Sequence, residues 1–403
     1  MLNLTRHILY TTTSYLPAIG GAQLHTHQIA RRLAAGYTVQ VVTLWDSNRT
    51  DWLRGTTLNA PIEPKTYNID GVPVELITLS PAQRQKIRPA VWLYYLVKTA
   101  AIRQIAAQFA PKIDPFAGAA SLIHNVRIGR EPLSFASLAV ARRHDIPFVL
   151  APYHHPRWGG WLYRDYHRLY RQADALIALT EAERQTLIGL GVAPERVFVT
   201  GNGPNLAGSA DGPAFRRRHN LPAAAPIILF VGQKYRYKGI ETLAAAAKQV
   251  WRRTPEAHFV FLGPPTPFSK RFFAGQSGPR LLDLGAVDLQ TKTDALAACT
   301  LLCLPSAQES FGGVFTEAWS LGKPVIGADI PAVREVIDDG LNGYLVAPAA
   351  GPLAERIGYL LDHPAIAAQL GQAGRQKTEA QYNWEQLARK TEAVYAAVLN
   401  GRR

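Results

Sequence analysis

Two glutamates flank a glycine pair in the segment 305–319, whose sequence is PSAQESFGGVFTEAW. Glu309 and Glu317 are eight positions apart, and on one continuous helix this separation corresponds to about 12 Å of axial rise. Paired carboxylates that hydrolyse a glycosidic bond stand about 5 to 9.5 Å apart. The spacing therefore argues against a glycosidase and favours an elongated ligand held at two points. A solvated glutamate followed by an ordinary helix glutamate would give the same pattern.

The glycine pair of this segment, Gly312 and Gly313, lies between a buried strand-like run, Thr300–Leu304, and a helix-like run. Glycine allows the backbone to approach a ligand closely. The first amides of a helix have no partner inside that helix, so they can donate to phosphate or hydroxyl oxygens. The pattern thus predicts a ligand site at the start of this helix.

A group of cations follows another strand-like run, Pro226–Val231. Lys234, Arg236 and Lys238 lie within five residues, and together they would neutralise a diphosphate. Lys238, which is followed by Gly239, is the strongest single candidate. A solvated basic loop is the alternative interpretation.

The first half of the chain contributes weaker candidates. Gly20 and Gly21 lie between a strand and a helix, but they do not form the glycine pattern of a nicotinamide dinucleotide site. His154 and His155 follow the strand-like run Pro147–Pro152. We expect at least one of these histidines at the carboxyl edge of a sheet, where it can reach a substrate hydroxyl; a structural or surface role is equally compatible. No spacing of His, Asp or Glu resembles a metal site.

These candidates must be positioned by alternating strands and helices, and such alternation predicts parallel sheets with helices on both faces. We expect an α/β protein with two Rossmann-like, doubly wound domains facing across a cleft, because ligands of such sheets lie beyond the carboxyl ends of the strands. A turn-rich stretch after Thr200 marks the boundary. The predicted domains are residues 1–205 and 206–380, with a final helix, 381–403, that crosses back to the first domain. Within them, strands are predicted at His7–Thr11, Tyr37–Leu44, Val72–Leu79, Ala120–His124, Pro147–Pro152, Ala175–Leu179, Arg196–Thr200, Pro226–Val231, His258–Leu262, Thr300–Leu304 and Lys323–Gly327.

Composition narrows the class of protein. The 403 residues are 47% hydrophobic and 18% charged, which is typical of globular proteins. The net charge of +14 indicates an anionic partner: nucleic acid, anionic lipid or nucleotide phosphate. The two cysteines, Cys299 and Cys303, are interpreted as buried apolar residues. No apolar run reaches the length of a membrane span and no signal peptide is recognisable, so we expect a cytoplasmic protein.

The segment 83–108 combines basic residues with a Trp- and Tyr-rich apolar run, 91–96. Interfacial membrane helices have this composition, so the segment predicts contact with an anionic membrane surface and a peripheral location at the inner face of the membrane. A core helix with long basic side chains at its ends is the alternative.

With these residues identified, the chain resembles the family 4 retaining glycosyltransferases, which use nucleotide sugars and have the GT-B fold. The resemblance extends over nearly the whole length. Glu309-Ser310-Phe311-Gly312 followed by Glu317 fits the family's two glutamates separated by seven residues. Further short motifs that resemble those of the family are Gly20-Gly21, Leu304-Pro305-Ser306, Gly322-Lys323-Pro324-Val325 and Asn342-Gly343.

The resemblance implies roles for these residues. Glu309 would contact the hydroxyls of the donor sugar, and Glu317 the hydroxyls of the ribose. Lys238 would stabilise the departing diphosphate. The backbone amides that would hold sugar and phosphate oxygens are those of Phe311, Gly312, Gly313 and Val314.

The chain departs from the family in one place. The family has an arginine five positions before its lysine, and here that position is Gln233. Either Lys234 or Arg236 supplies the second cation, or the leaving group is less stabilised. The family's first-domain histidine falls in the region of His154 and His155 without aligning to one of them.

The function that the resemblance implies is transfer of a hexosyl group from a nucleoside-diphosphate sugar, with retention, to a lipid-linked, polysaccharide or other glycan acceptor. It implies no cofactor and no obligatory metal. A sugar phosphorylase or a nucleotide-sugar epimerase on the same fold is the first alternative. A basic nucleic-acid-binding protein is the remote one, and no nucleic-acid motif supports it. The roles assigned above require Glu309 and Lys238 to lie near each other.

Overall fold

The chain folds into two α/β units. The structure is a computed structural model that describes residues 6–18, 20–47, 53–155, 158–276 and 278–401. One unit takes the chain up to Gly201 together with the residues from Trp384 onward, and the other comprises Asn202–Asn383.

An eight-stranded sheet forms the centre of the first unit, in the order β3-β4-β2-β1-β5-β6-β7-β8. All neighbours are parallel except β3 and β4. The strands are β1 (His7–Thr12), β2 (Thr38–Thr43), β3 (Lys65–Ile69), β4 (Val72–Leu76), β5 (Leu122–Val126), β6 (Phe148–Ala151), β7 (Ala175–Ala178) and β8 (Val197–Val199). The helices are α1 (Gly21–Leu33), α2 (Pro81–Trp92), α3 (Lys98–Ala117), α4 (Pro132–Arg143), α5 (Arg164–Gln172) and α6 (Glu181–Gly189).

Successive residues of the central strands serve two cores, one on each face of this sheet. In β1, Leu9 packs into the core that contains α3, whereas Ile8 and Tyr10 pack into the core that contains α1. Because side chains alternate along a strand, a strand buried on both faces must be apolar throughout. This is why the central strands were recognisable as continuous apolar runs.

The second unit has a six-stranded, fully parallel sheet in the order β11-β10-β9-β12-β13-β14. Its strands are β9 (Ile227–Val231), β10 (His258–Leu262), β11 (Leu281–Gly285), β12 (Leu301–Leu304), β13 (Val325–Ala328) and β14 (Tyr344–Val346). The helices are α7 (Gly212–Arg218), α8 (Ile240–Val250), α9 (Pro267–Ala274), α10 (Leu289–Ala298), α11 (Gly313–Ser320), α12 (Pro331–Arg334), α13 (Ala350–Asp362) and α14 (Pro364–Gln381).

The last helix, α15 (Trp384–Asn400), packs on the first sheet. Its Tyr395 hydroxyl lies 2.7 Å from the hydroxyl of Tyr10 and 2.6 Å from Nδ1 of His124. All three side chains are buried. These hydrogen bonds satisfy polar groups inside an apolar core and fix the position of the helix along the strands.

The sequence did not predict three of the strands, namely β3, β11 and β14. Each lies at the edge of its sheet, where only part of the strand is buried and the apolar pattern is therefore weak.

The hairpin that joins β3 to β4 turns at Asp70 and Gly71, whose φ angles are both positive, 49° and 83° respectively. Asp-Gly between two strand-like runs is the usual sequence signal for such a turn.

The segment 83–108 is not one interfacial helix. α2 ends at Trp92 and α3 begins at Lys98, and the apolar face of α3 is buried in the first core. The helical parts therefore match the core-helix alternative, and the exposed apolar residues are in the connection between the helices. Among the described residues, no helix combines the length and apolarity needed to cross a bilayer.

Candidate active site

The loops that follow β9 and β12 meet at the carboxyl edge of the second sheet. These two strands are neighbours, so their loops leave the sheet side by side. The amide of Ala307 donates to the carbonyl of Tyr237 at 2.8 Å. A Cβ atom on Gly239 would lie 2.4 Å from the carbonyl oxygen of Pro305, and the φ angle of Gly239 is +76°. Glycine is thus required here both for conformation and for the close approach of the two loops.

The Lys238 ammonium donates to a carboxylate oxygen of Glu309 at 2.6 Å. Only 16% of the lysine side chain and 8% of the glutamate side chain are exposed. Lys238 ends a 3₁₀ turn, Arg236–Lys238, in the loop that follows β9, and Glu309 lies in the loop after β12. The structure therefore brings together the two charged residues on which the sequence hypothesis depends, and it does so at low exposure, where charge interactions are strong.

The start of α11 lies in the same loop. Gly312 is its N-cap residue, with a φ angle of +81°, and contributes no side-chain cap. A Cβ on Gly312 would lie 2.5 Å from the ring of Phe315, and a Cβ on Gly313 would lie 2.8 Å from the side-chain nitrogen of Asn202. The glycine pair thus keeps side chains away from the first amides of the helix, among them that of Val314, which can receive ligand oxygens.

Phe311, the residue before this glycine pair, is buried. Its ring meets that of Tyr382 edge to face, with centroids 5.2 Å apart. The side chain of Phe311 therefore anchors the loop, and only its backbone is suited to contact a ligand.

Glu317 lies on α11 and is held by a residue that the sequence did not suggest. The Lys292 ammonium, on α10, lies 2.7 Å from a carboxylate oxygen of Glu317 and 2.7 Å from the carbonyl oxygen of Asn205. The amide of Asn205 also donates to Glu317, at 3.4 Å. Glu309 and Glu317 therefore do not lie on one helix, since α11 begins only at Gly313, and each carboxylate has its own lysine. No motif surrounds Lys292 that could have identified it.

The two candidates for a second cation differ sharply in environment. Lys234 is fully buried and bonded to Asp283 at the edge strand β11. Burial lowers the pKa of the Lys234 ammonium below its usual value, although the neighbouring Asp283 acts in the opposite direction. The Arg236 side chain is 75% exposed, 3.7 Å from Glu241, with its guanidinium over the ring of Phe268. Gln233 is exposed.

The candidates from the first half of the chain lie in the first unit. Gly20 is the N-cap of α1, in an extended conformation, and a Cβ there would lie 2.4 Å from the side-chain oxygen of Gln23. A Cβ on Gly21 would meet no atom within 4 Å. The Gln23 side chain would have to move to admit a side chain at position 20, and nothing in the structure restricts position 21.

His154 and His155 follow the end of β6 and differ in exposure. The backbone amide of buried His154 donates to Glu183 at 2.6 Å, and its Nδ1 lies 3.2 Å from the hydroxyl of Tyr170. Burial, assisted by nearby Arg127, lowers the pKa of His154 to about 3, so its imidazole is neutral at physiological pH. His155 is half-buried, with its ring against that of Trp158, and is the more accessible of the two.

Glu183, on α6, is a further buried charged residue, and no motif in the sequence marks it. Its carboxylate accepts hydrogen bonds from the amides of Leu179 and His154 and so joins the ends of β6 and β7. Burial raises the pKa of Glu183 to about 7, and the two amides act in the opposite direction. Within the described ranges, no three His, Cys, Asp or Glu side chains are grouped as metal ligands would be.

The chain belongs to the group 1 glycosyl transferases. The model of that family, Glycosyl transferases group 1, matches residues 211–377, and the model called Glycosyl transferase 4-like domain matches residues 20–203. The group 1 model covers most of the second unit, and the 4-like domain model covers most of the first unit. The predicted family is therefore confirmed.

Curated relatives are similar over part of their length. The chain is 31% identical to a D-inositol 3-phosphate glycosyltransferase of Xylanimonas cellulosilytica, over 56% of this chain and 57% of that protein. It is 32% identical to a phosphatidyl-myo-inositol mannosyltransferase of Mycolicibacterium smegmatis, over 49% of this chain and 51% of that protein. The chain thus spans little more than half the length of these relatives.

Solved structures of other proteins are similar to nearly the whole chain. Anabaena HepE in complex with UDP-glucose has a TM-score of 0.75 and 18% identity, covering 97% of this chain and 99% of that one. Sucrose-phosphate synthase from Thermosynechococcus elongatus has a TM-score of 0.77 and 22% identity, covering 98% and 100%. At this level of identity the likeness establishes the fold alone, which is GT-B, as the sequence predicted.

Proposed function

We propose that this protein is a retaining glycosyltransferase that moves a hexosyl group from a nucleoside-diphosphate sugar to a glycan acceptor. The observation that carries the proposal is the Lys238–Glu309 pair at the carboxyl edge of the second sheet. In a nucleotide sugar, one bond joins the anomeric carbon to a phosphate oxygen. The Glu309 carboxylate can accept hydrogen bonds from sugar hydroxyls, and the Lys238 ammonium can bind phosphate. The two groups lie 2.6 Å apart, so they suit the two sides of that bond.

The donor lies along this edge in the proposed complex. Glu309 accepts hydrogen bonds from sugar hydroxyls, and Glu317 accepts them from the ribose. Amides of the segment Phe311–Val314 donate to the sugar and to the phosphates between these two carboxylates. Lys292 and Asn205 hold the Glu317 carboxylate in place for its role, since both contact it.

The chemistry of the proposed reaction is electrostatic. As the bond between the anomeric carbon and the phosphate oxygen breaks, negative charge grows on the leaving diphosphate and positive charge on the sugar ring. Lys238 and the amides at the start of α11 stabilise the diphosphate, and preorganised donors of this kind are strong at low exposure. The acceptor hydroxyl attacks from the face that the diphosphate leaves and transfers its proton to the departing phosphate oxygen, so the configuration is retained.

Arg236 is the second cation in this proposal. Lys234 is enclosed and bonded to Asp283, whereas Arg236 is exposed and only loosely paired, so it is free to turn toward phosphate. We propose that no metal is obligatory, since the lysine, the arginine and the helix amides supply the positive potential that a divalent cation would otherwise provide.

The acceptor in this proposal is a lipid-linked or polysaccharide glycan, bound by the first unit, with His155 as the histidine that reaches it. The names of the similar inositol glycosyltransferase and inositol mannosyltransferase support a hydroxyl-rich acceptor. The enzyme would meet a lipid-linked acceptor at the membrane surface as a peripheral protein.

A panel of UDP- and GDP-sugars tests this function. We expect one donor to raise the melting temperature, and to be hydrolysed slowly without an acceptor and transferred with one. The anomeric configuration of the product, measured by NMR, is expected to match that of the donor, and chelation of divalent metals is expected to leave the rate unchanged. Formation of a sugar 1-phosphate, or epimerisation of the donor without an acceptor, would replace the proposal with the phosphorylase or epimerase alternative.

A further inference from the structure

Exposed apolar side chains concentrate on one part of the first unit. They belong to the end of α2, to the connection between α2 and α3 and to the 3₁₀ turn that precedes α5. We call them the aromatic patch. Its members are Trp92, Leu93, Tyr95, Leu96, Val97, Trp161 and Leu162, which are seven of the twelve exposed large apolar residues in the described part of the chain. Leu96 is 79% exposed and Trp161 is 67% exposed.

Hydrogen bonding joins the two segments of the patch. The Lys98 ammonium, directly after the first segment, donates to the carbonyl of Leu162 at 2.6 Å. It also lies 2.7 Å from a carboxylate oxygen of Glu131, which is fully buried. Tyr94 donates to the same carboxylate. Charged and polar groups are therefore inside, and apolar side chains are outside, which is the reverse of ordinary folding preference.

Arginine guanidinium groups lie over the aromatic rings of the patch. The Arg54 guanidinium lies 4.0 Å from the ring centre of Trp92, and that of Arg164 lies 3.8 Å from the ring centre of Trp161. A third, Arg130, lies over Tyr95 and donates to its hydroxyl at 2.5 Å. Glu131 and Asp165, the carboxylates that directly follow Arg130 and Arg164 in the sequence, are buried and bonded to partners within the unit. The outward face of the patch thus combines apolar tips with positive charge.

We propose that the aromatic patch inserts into the interface of a bilayer that contains anionic lipid. Trp and Tyr favour the headgroup level of a membrane, where the ring is apolar and its edge is polar, and Arg beside them is attracted to anionic headgroups. The patch is formed by two short segments, whereas a stable protein interface takes about 20 to 30 residues a side. Charge and size therefore favour a lipid surface over a second copy of the chain. The inference rests on the proposed function only in that insertion would deliver the site to a lipid-linked acceptor.

Vesicle sedimentation tests the proposal directly. The full chain is mixed with vesicles of phosphatidylcholine alone or of phosphatidylcholine with phosphatidylglycerol. We expect it to sediment with the second kind, accompanied by a blue shift of tryptophan fluorescence. The double variant L96S/W161S removes exposed apolar surface and is expected to weaken binding at least about tenfold. The matched control is Leu341→Ser, an exposed leucine of the second unit, which should bind as the parent does.

Charge is tested separately. The double variant R54Q/R164Q is expected to reduce binding to the anionic vesicles and to make the remainder less sensitive to salt. Equal sedimentation of L96S/W161S and the parent would overturn the proposal. So would a parent dimer in light scattering that becomes a monomer in L96S/W161S, since the occupant would then be a second copy. Hydrolysis of the nucleotide sugar without vesicles reports on the active site alone and should be unchanged in all these variants. Failure of the enzymatic proposal can therefore be distinguished from failure of the membrane proposal.

Discussion

The ammonium of Lys238 lies 2.6 Å from a carboxylate oxygen of Glu309, although 71 positions separate the two residues in the chain. They are brought together because β9 and β12 are adjacent parallel strands, and the loops that follow them leave the same edge of the sheet. Removal of either charge leaves the other mostly buried without its partner, which is costly in a site of low dielectric.

The variant Lys238→Ala tests the role of this pair in catalysis. We expect kcat to fall by roughly 100- to 1000-fold, because one preorganised donor to the leaving diphosphate is lost. The matched control is Lys248→Ala, an exposed lysine on α8, which should retain parental kinetics. Equal turnover of Lys238→Ala and the parent, measured with the preferred nucleotide sugar, would remove Lys238 from the mechanism.

Replacement of the two candidate second cations separates their roles. Arg236→Gln should lower turnover by roughly tenfold at unchanged melting temperature, because the side chain is exposed and its loss affects only the developing charge. Lys234→Met should instead lower the melting temperature, because it leaves Asp283 without its buried partner. Steady-state kinetics and thermal unfolding of both variants decide the assignment. The reverse pattern would make Lys234 the phosphate ligand.

Gly239→Ala tests the contact between the two loops. A Cβ there would lie 2.4 Å from the carbonyl oxygen of Pro305, so the loops must separate and the Lys238–Glu309 pair must lengthen. We expect a loss of about 1–3 kcal/mol in unfolding free energy from the backbone conformation, together with a large loss of activity. Gly340→Ala has the same φ angle of +76° but open space around it, so it should lose stability without losing activity. Activity in Gly239→Ala at the level of this control would show that the loop contact is dispensable.

Lys292→Met tests the anchoring of Glu317. The variant leaves a mostly buried carboxylate without its cation, so we expect a loss of about 1–3 kcal/mol in unfolding free energy and a higher KM for the donor at nearly constant kcat. Arg375→Ala breaks an exposed pair with Glu379 and should change the unfolding free energy by about 0.5 kcal/mol or less. If KM stayed constant in Lys292→Met, Glu317 would not need this partner to bind the ribose.

The pH dependence of stability reports on Glu183. Its folded pKa, about 7, is raised above the usual value by burial, so between about pH 4.5 and 7 the folded state binds more protons than the unfolded state does. The unfolding free energy contributed by this group therefore decreases as the pH rises through that window. The melting temperature of the parent minus that of Glu183→Gln is expected to become smaller, or more negative, from low to neutral pH. The contribution of His154 is common to both proteins and cancels in the difference. A difference that does not vary with pH would contradict the raised pKa.

The sequence by itself determined the fold class and most of the buried strands, and it marked the glycine pair at the start of α11. The reason is that a strand covered on both faces must be apolar at every position, as β9 and β12 are, and that a tight turn into a helix requires glycine at positions such as Gly312. Both requirements are local and can be read from consecutive residues. Three of the four edge strands, β3, β11 and β14, were missed because one-sided burial relaxes the first requirement.

Only the tertiary structure decided which charges are paired. The pairs Lys238–Glu309, Lys292–Glu317 and Lys234–Asp283 each join residues from different loops, helices or strands, and their separation in the sequence carries no signal. The same holds for the exposure of Arg236 against the burial of Lys234, two residues apart in the chain. Coulomb energies depend on distance and on solvent exposure, and both are set by the packing of elements that are far apart in the sequence.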